Sequence, residues 1–152
     1  MIALTGRTVV NGLGYFGLIP FAGSAWMIGV GQSLGPVEPA RLFVCYSTVI
    51  LSFLAGTLWT NAQALAGNRL SKSLLVASNA IALLACFSLL LADVSAVTAI
   101  VGLSLGYVVV LGLETHHAER LFPAEGDAYL GMRSLLTSLV LLIHVLVAFF
   151  VS

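Results

Sequence analysis

Apolar residues fill this chain in long blocks separated by short polar breaks. Five blocks stand out, at about residues 11–31, 42–63, 73–91, 94–113 and 132–151. Each approaches the roughly 20 residues that cross a hydrocarbon layer of about 30 Å at 1.5 Å rise per residue. The pattern predicts an all-α polytopic membrane protein, one domain over residues 1–152 built as a bundle of about five transmembrane helices. The breaks are of different kinds. "GQSLGPVEPAR" carries the turn formers Gly35-Pro36 and Pro39. "ADVSA" is so short that the blocks on either side of it must form a tight antiparallel hairpin. "ETHHAERLFPAEGDAYLG" is expected to prolong the fourth helix by two turns until Pro123 stops it. The first block mimics a secretory signal, with Arg7, an apolar run and "AGSA"; its many glycines and mid-run Pro20 argue for a retained span.

Composition agrees. The chain is 60% hydrophobic and 8% charged, whereas soluble domains carry about 25% charged residues. Its formal net charge is zero, so it has no basic surface for nucleic acid. The expected surroundings are membrane lipid and other membrane subunits or further copies of the chain. Cys45 and Cys86 both fall inside apolar blocks without histidine neighbours, which predicts small buried side chains rather than a disulfide or a zinc site. Of the six basic residues, Arg7, Arg69, Lys72, Arg120 and Arg133 fall on one side of the membrane and Arg41 on the other. That bias predicts a cytoplasmic N-terminus and a periplasmic C-terminus in a bacterial inner membrane, or the matrix equivalent in a mitochondrion.

The second block holds polar groups in a pattern. At roughly 100° per residue, Arg41, Cys45, Thr48, Ser52, Gly56, Trp59 and Gln63 gather on one side of the helix, and Leu42, Phe43, Ile50, Phe53, Leu54 and Leu58 take the other. The expectation is that the polar stripe looks into the bundle and the leucine and phenylalanine face meets lipid. Such a stripe either packs helices through small side chains and hydroxyls or lines a cavity. Other close-packing devices are Gly102-x-x-x-Gly106 in the fourth block and Pro20, which cannot donate to the Phe16 carbonyl and should kink the first helix. Ser24 is placed to satisfy part of the freed backbone.

His144 lies deep in "LVLLIHVLVAFF". An ionisable side chain at that depth is either a satisfied structural histidine or a proton relay, cofactor ligand or quinone contact. Asn79, in the third block, is a plausible partner for it or for the stripe. In "ETHHAER", Glu114 and His117 form one Glu-x-x-His pair, where a di-metal bundle needs two pairs and two more glutamates. The pair is a weak metal candidate, and these charges are expected to form a solvated helix extension. Only Glu114, His116, His117, Glu119 and Asp127 could serve an enzyme. With no nucleophile–base pair and no phosphate-cradling loop, neither catalysis nor a cofactor is expected.

"LGYFGLIPF" (Leu13–Phe21) and "YSTVILSFLAGTLW" (Tyr46–Trp59) resemble the two most recognisable segments of a bacterial and mitochondrial membrane family known as domain of unknown function 3429. Ser52, Phe53, Leu54, Gly56 and Trp59 match its second-span pattern; Ala55, Leu58 and Thr60 depart from it. The resemblance implies about five spans and an inner-membrane location, and it supplies no activity. Two functional readings follow from the residues. One is a non-catalytic accessory, assembly or structural component of a membrane complex or homo-oligomer. The other is a small transporter or a proton- or quinone-linked carrier that uses the polar stripe and His144.

Overall fold

A computed structural model describes residues 12–33, 35–65, 67–123 and 126–152, with the backbone alone for 126–128. Arg7 and Asn11, used above for orientation and for the start of the first block, lie outside the described residues. Among those described, every regular element is a helix: α1 (Leu18–Gly29), α2 (Pro39–Gln63), α3 (Arg69–Leu91), α4 (Ala96–His116), the short α5 (Ala118–Leu121) and α6 (Gly126–Val151). One further helical turn, at 12–16, precedes α1. Among the described residues, four helices are long and apolar enough to cross a membrane: α2, α3, α4 and α6 from Tyr129. The fifth crossing is the interrupted one, 12–16 with α1, about 27 Å end to end at 1.5 Å per residue.

The interruption has a local cause. Pro20 lacks the N–H that would bond the Phe16 carbonyl, and its ring crowds that carbonyl. The helix breaks at Gly17, whose carbonyl accepts instead from the Tyr46 hydroxyl of α2 at 2.9 Å. Ser24 does not serve the Phe16 carbonyl, as was expected of it. Its hydroxyl donates to the Pro20 and Phe21 carbonyls, at 2.7 and 3.2 Å. Elsewhere the helix ends follow sequence signals. Pro39 opens α2, where a missing N–H costs nothing. Asn68 caps α3 by accepting from Ser71 N, and Ser95 caps α4 by accepting from Thr98 N. The fourth helix is prolonged beyond its apolar block, but His117 breaks it before α5 ends short of Pro123.

The helices close into a ring. α1 packs on α2, α2 on α3, α3 on α4, α4 on α6 and α6 back on α1, while α2 also touches α4 across the middle. α2 is therefore the central strut. Its buried face is Phe43, Val44, Ser47, Thr48, Leu51, Leu54, Ala55, Leu58 and Ala62. That face lies about 100° round the helix wheel from the polar stripe. Arg41, Gly56, Trp59 and Gln63 are exposed, Cys45 and Ser52 half-buried, and only Thr48 is buried. The expectation of an inward polar stripe is thus corrected. Phe43, Leu54 and Leu58, assigned to lipid, are core residues, and Phe53 alone of the large ones faces outward. The physical reason is that lipid and a protein core are equally apolar, so hydrophobicity cannot orient a helix between them. Shape decides instead: the core takes the large side chains that neighbouring helices can interlock with.

Gly102 and Gly106 show that interlocking. A β-carbon on Gly102 would meet the Ser88 hydroxyl of α3 at 2.5 Å, and one on Gly106 would run into the Leu51 side chain of α2. The pair lets α4 approach two helices at once. Gly56 has nothing within 4 Å and does not pack inside the bundle, contrary to its reading as a packing residue. Cys45 is half-buried and Cys86 exposed, so neither is the buried small residue expected. Gly106→Ala should lower thermal stability in detergent, because overpacking costs about 1–3 kcal/mol and outweighs the helix-propensity gain. Gly56→Ala should be neutral or stabilising by up to about 1 kcal/mol, since only that gain operates. Thermal melts of the two variants, followed by circular dichroism, check both signs.

Candidate functional site

Three features carry the polar chemistry of the interior: a histidine, an ion pair and a cavity. His144 is fully buried on α6. Its Nδ1 lies 2.8 Å from the Val140 carbonyl and its Nε2 2.8 Å from the Ser47 hydroxyl. A carbonyl can only accept, so Nδ1 carries the proton; Nε2 then accepts from Ser47. Both ring nitrogens are satisfied in the neutral form. Phe21, Phe43 and Tyr107 wall the imidazole, with ring centroids at 5.8, 4.9 and 5.5 Å. The Tyr107 hydroxyl donates to the Ser47 carbonyl at 3.0 Å, locking α4 to α2 beside the histidine. Asn79 takes no part. It is exposed on α3 and donates to the Leu75 carbonyl of its own helix at 3.0 Å. The partner of His144 is Ser47, which the stripe omitted because it lies on the apolar side of the wheel.

The ion pair was not foreseen. Glu114, near the end of α4, is fully buried, and its Oε2 accepts from Arg133 Nε at 3.1 Å and lies 3.0 Å from Nη2. Arg133, on α6, is itself buried. Glu114 Oε1 has no hydrogen-bond partner among the described residues. This corrects the solvated-extension reading of Glu114 and separates it from His117. His117 is half-buried after α4, its ring 4.6 Å from that of exposed His116. Its imidazole is held below the usual range, by burial first and then by repulsion from its neighbours His116 and Arg120. Among the described residues, no three His, Cys, Asp or Glu side chains cluster as a metal site; the Asp127 side chain lies outside them. The signal for the pair was periodicity carried one turn further. Leu103, Tyr107, Val110 and Glu114 continue one buried stripe of α4, and Arg133, Leu136, Val140, His144 and Val147 one of α6.

Beside these groups lies a cavity of about 300 Å³ between α1, α2, α4 and α6. The buried Phe21, Leu54, Tyr107 and Val140 and the half-buried Leu18 line it, Leu13 and Phe53 stand at its exposed rim, and Arg133 is its one charged lining residue among those described. His144 does not line it, whereas Phe21 and Tyr107, whose rings pack on the imidazole, do.

A family model described as "Protein of unknown function (DUF3429)" matches residues 7–149. The chain belongs to the DUF3429 family. No curated protein and no solved structure matches it. Removing one member of a buried ion pair leaves an uncompensated charge, which costs about 3–5 kcal/mol. Glu114→Ala should destabilise this DUF3429 protein by that order, while the double variant Glu114→Leu/Arg133→Met regains most of the loss. Equilibrium unfolding of the three proteins in one detergent checks this; equal instability of single and double variants would contradict it.

Proposed function

We propose that the protein is a non-catalytic component of a membrane assembly, joined to a second membrane helix or to a further copy of itself through the outer face of α2 and α3. The observation that carries this is Asn79. It lies ten residues into α3, about 15 Å deep at 1.5 Å per residue, and its side chain is exposed. A carboxamide at mid-depth facing hydrocarbon is costly, and a helix from another chain can supply the missing hydrogen bonds. The stripe supports the same face. Thr48, donating to the Ala85 carbonyl, and Ser71, donating to the Ala62 carbonyl, mark the α2–α3 seam. Ser52 and Trp59 lie about 20–40° outward of Thr48 on the wheel, with Gly56 and Gln63 beyond them. A second helix laid along that seam would meet small and polar side chains that nothing inside the bundle uses.

The satisfied His144 and the apolar lining of the cavity support this reading over a proton-linked carrier. The location that fits is a bacterial inner membrane with the N-terminus in the cytoplasm. The charge bias for it is smaller than the sequence count, because Arg133 is spent on Glu114. Arg69, Lys72 and Arg120 are exposed at one end, and Arg41 pairs with Asp93 at 3.5 Å at the other.

Cys86 gives a direct test, since it lies on the Asn79 face two turns along α3 and is exposed. A short bismaleimide applied to native membranes should link Cys86 to a neighbour and give one discrete adduct, at twice the chain's mass for a homodimer. Asn79→Leu should reduce its yield at least fivefold. A chain that stays monomeric, or an adduct whose yield Asn79→Leu leaves unaffected, would overturn the proposal.

A further inference from the structure

We infer that the cavity between α1, α2, α4 and α6 is a binding site for a single-chain lipid whose head is uncharged and accepts hydrogen bonds. Its walls are almost wholly hydrocarbon and aromatic, from Leu18, Phe21, Leu54 and Val140. At about 300 Å³ it stands at the small end of ligand sites. It has room for part of one chain and not for a two-chain lipid. The rim residues Leu13 and Phe53 are 68% and 66% exposed, so the mouth opens to the side, where the bilayer itself would supply the chain.

The polar end is built from three residues of α6 one turn apart, Tyr129, Arg133 and Thr137. Thr137 is 2% exposed, lines the cavity and has no hydrogen-bond partner among the described residues. Arg133 lines the same end. Of the other hydroxyls there, Tyr107 donates to the Ser47 carbonyl and Thr57 to the Leu54 carbonyl, while that of Tyr129, one turn before Arg133, makes no hydrogen bond among the described residues. A buried hydroxyl without a partner costs free energy that a ligand oxygen would recover. The head's charge follows from Glu114. That carboxylate already neutralises the guanidinium, so an anionic head would bring a second negative charge to one positive charge in a medium of low dielectric. An alcohol or carbonyl oxygen can take a hydrogen bond from Thr137 or Arg133 without that cost.

The site is independent of the α2–α3 face, so either proposal can fail alone. The test uses purified protein in nanodiscs and a hexadecan-1-ol probe carrying a diazirine in its chain. Photolabel is expected to concentrate on residues 13–18 and 132–140. Unlabelled hexadecan-1-ol should compete at least tenfold better than hexadecyl sulfate. Thr137→Val, which keeps the shape and removes the hydroxyl, should weaken competition by hexadecan-1-ol about fivefold, and Thr137→Ser should retain it. Label spread evenly over outward residues such as Leu83 and Phe149 would overturn the site. Hexadecyl sulfate competing as well as the alcohol would overturn the uncharged head. Competition unaltered by Thr137→Val would overturn the role of the hydroxyl end.

Discussion

Lipid offers no hydrogen bonds, and this constraint organises the molecule. Every polar group at membrane depth has to find its partner within protein. Inside the bundle the ionisable side chains meet that requirement at two points. Ser47 and the Val140 carbonyl complete His144, and Arg133 completes one oxygen of Glu114. Each point ties α6 to another helix of the ring, α2 in one case and α4 in the other. The Tyr107 bond to the Ser47 carbonyl closes the triangle α2–α4–α6. Apolar packing alone would leave these helices free to slide in a solvent as greasy as their own side chains. The polar contacts set the register, and Gly102 and Gly106 permit the approach that makes them reachable.

The first crossing answers the same constraint differently. Pro20 breaks its helix, and the Tyr46 hydroxyl takes up a carbonyl at the break. The cavity opens beside that break, since Gly14, Gly17 and Leu18 are among its walls. A straight helix with larger side chains in this place would fill the space. A proline and small residues on one crossing thus give the bundle an opening toward the bilayer.

The sequence made the class of fold and the extent of the helices readable, because ~20-residue apolar blocks have one physical meaning. Turns, the Pro20 break and the close approach at Gly102 and Gly106 were readable for similarly local reasons. The direction each helix faces was not. Ser52, Gly56, Trp59 and Gln63 share a side of α2, but a wheel cannot say whether that side meets protein or lipid. Ser47 and Asn79 exchanged roles for the same reason: the one residue sits among apolar neighbours on the inner side, the other among small ones on the outer. Glu114 and Arg133 were hidden because they lie at the ends of apolar blocks, where charges ordinarily meet water. Their spacing from Val110 and from Leu136 was the available clue.

The central claim is that α2 turns its apolar side inward and its small and polar side out. Spin labels placed singly at Ala55 and Gly56, in nanodiscs holding one copy of the chain, test it through their collision rate with dissolved oxygen, which concentrates in lipid. Neighbouring positions differ by about 100° on the helix, enough to put Ala55 in the buried face and Gly56 outside it. The account predicts a high rate at Gly56, where nothing lies within 4 Å, and a low one at Ala55, which is 2% exposed. A high rate at Ala55 with a low one at Gly56 would contradict it.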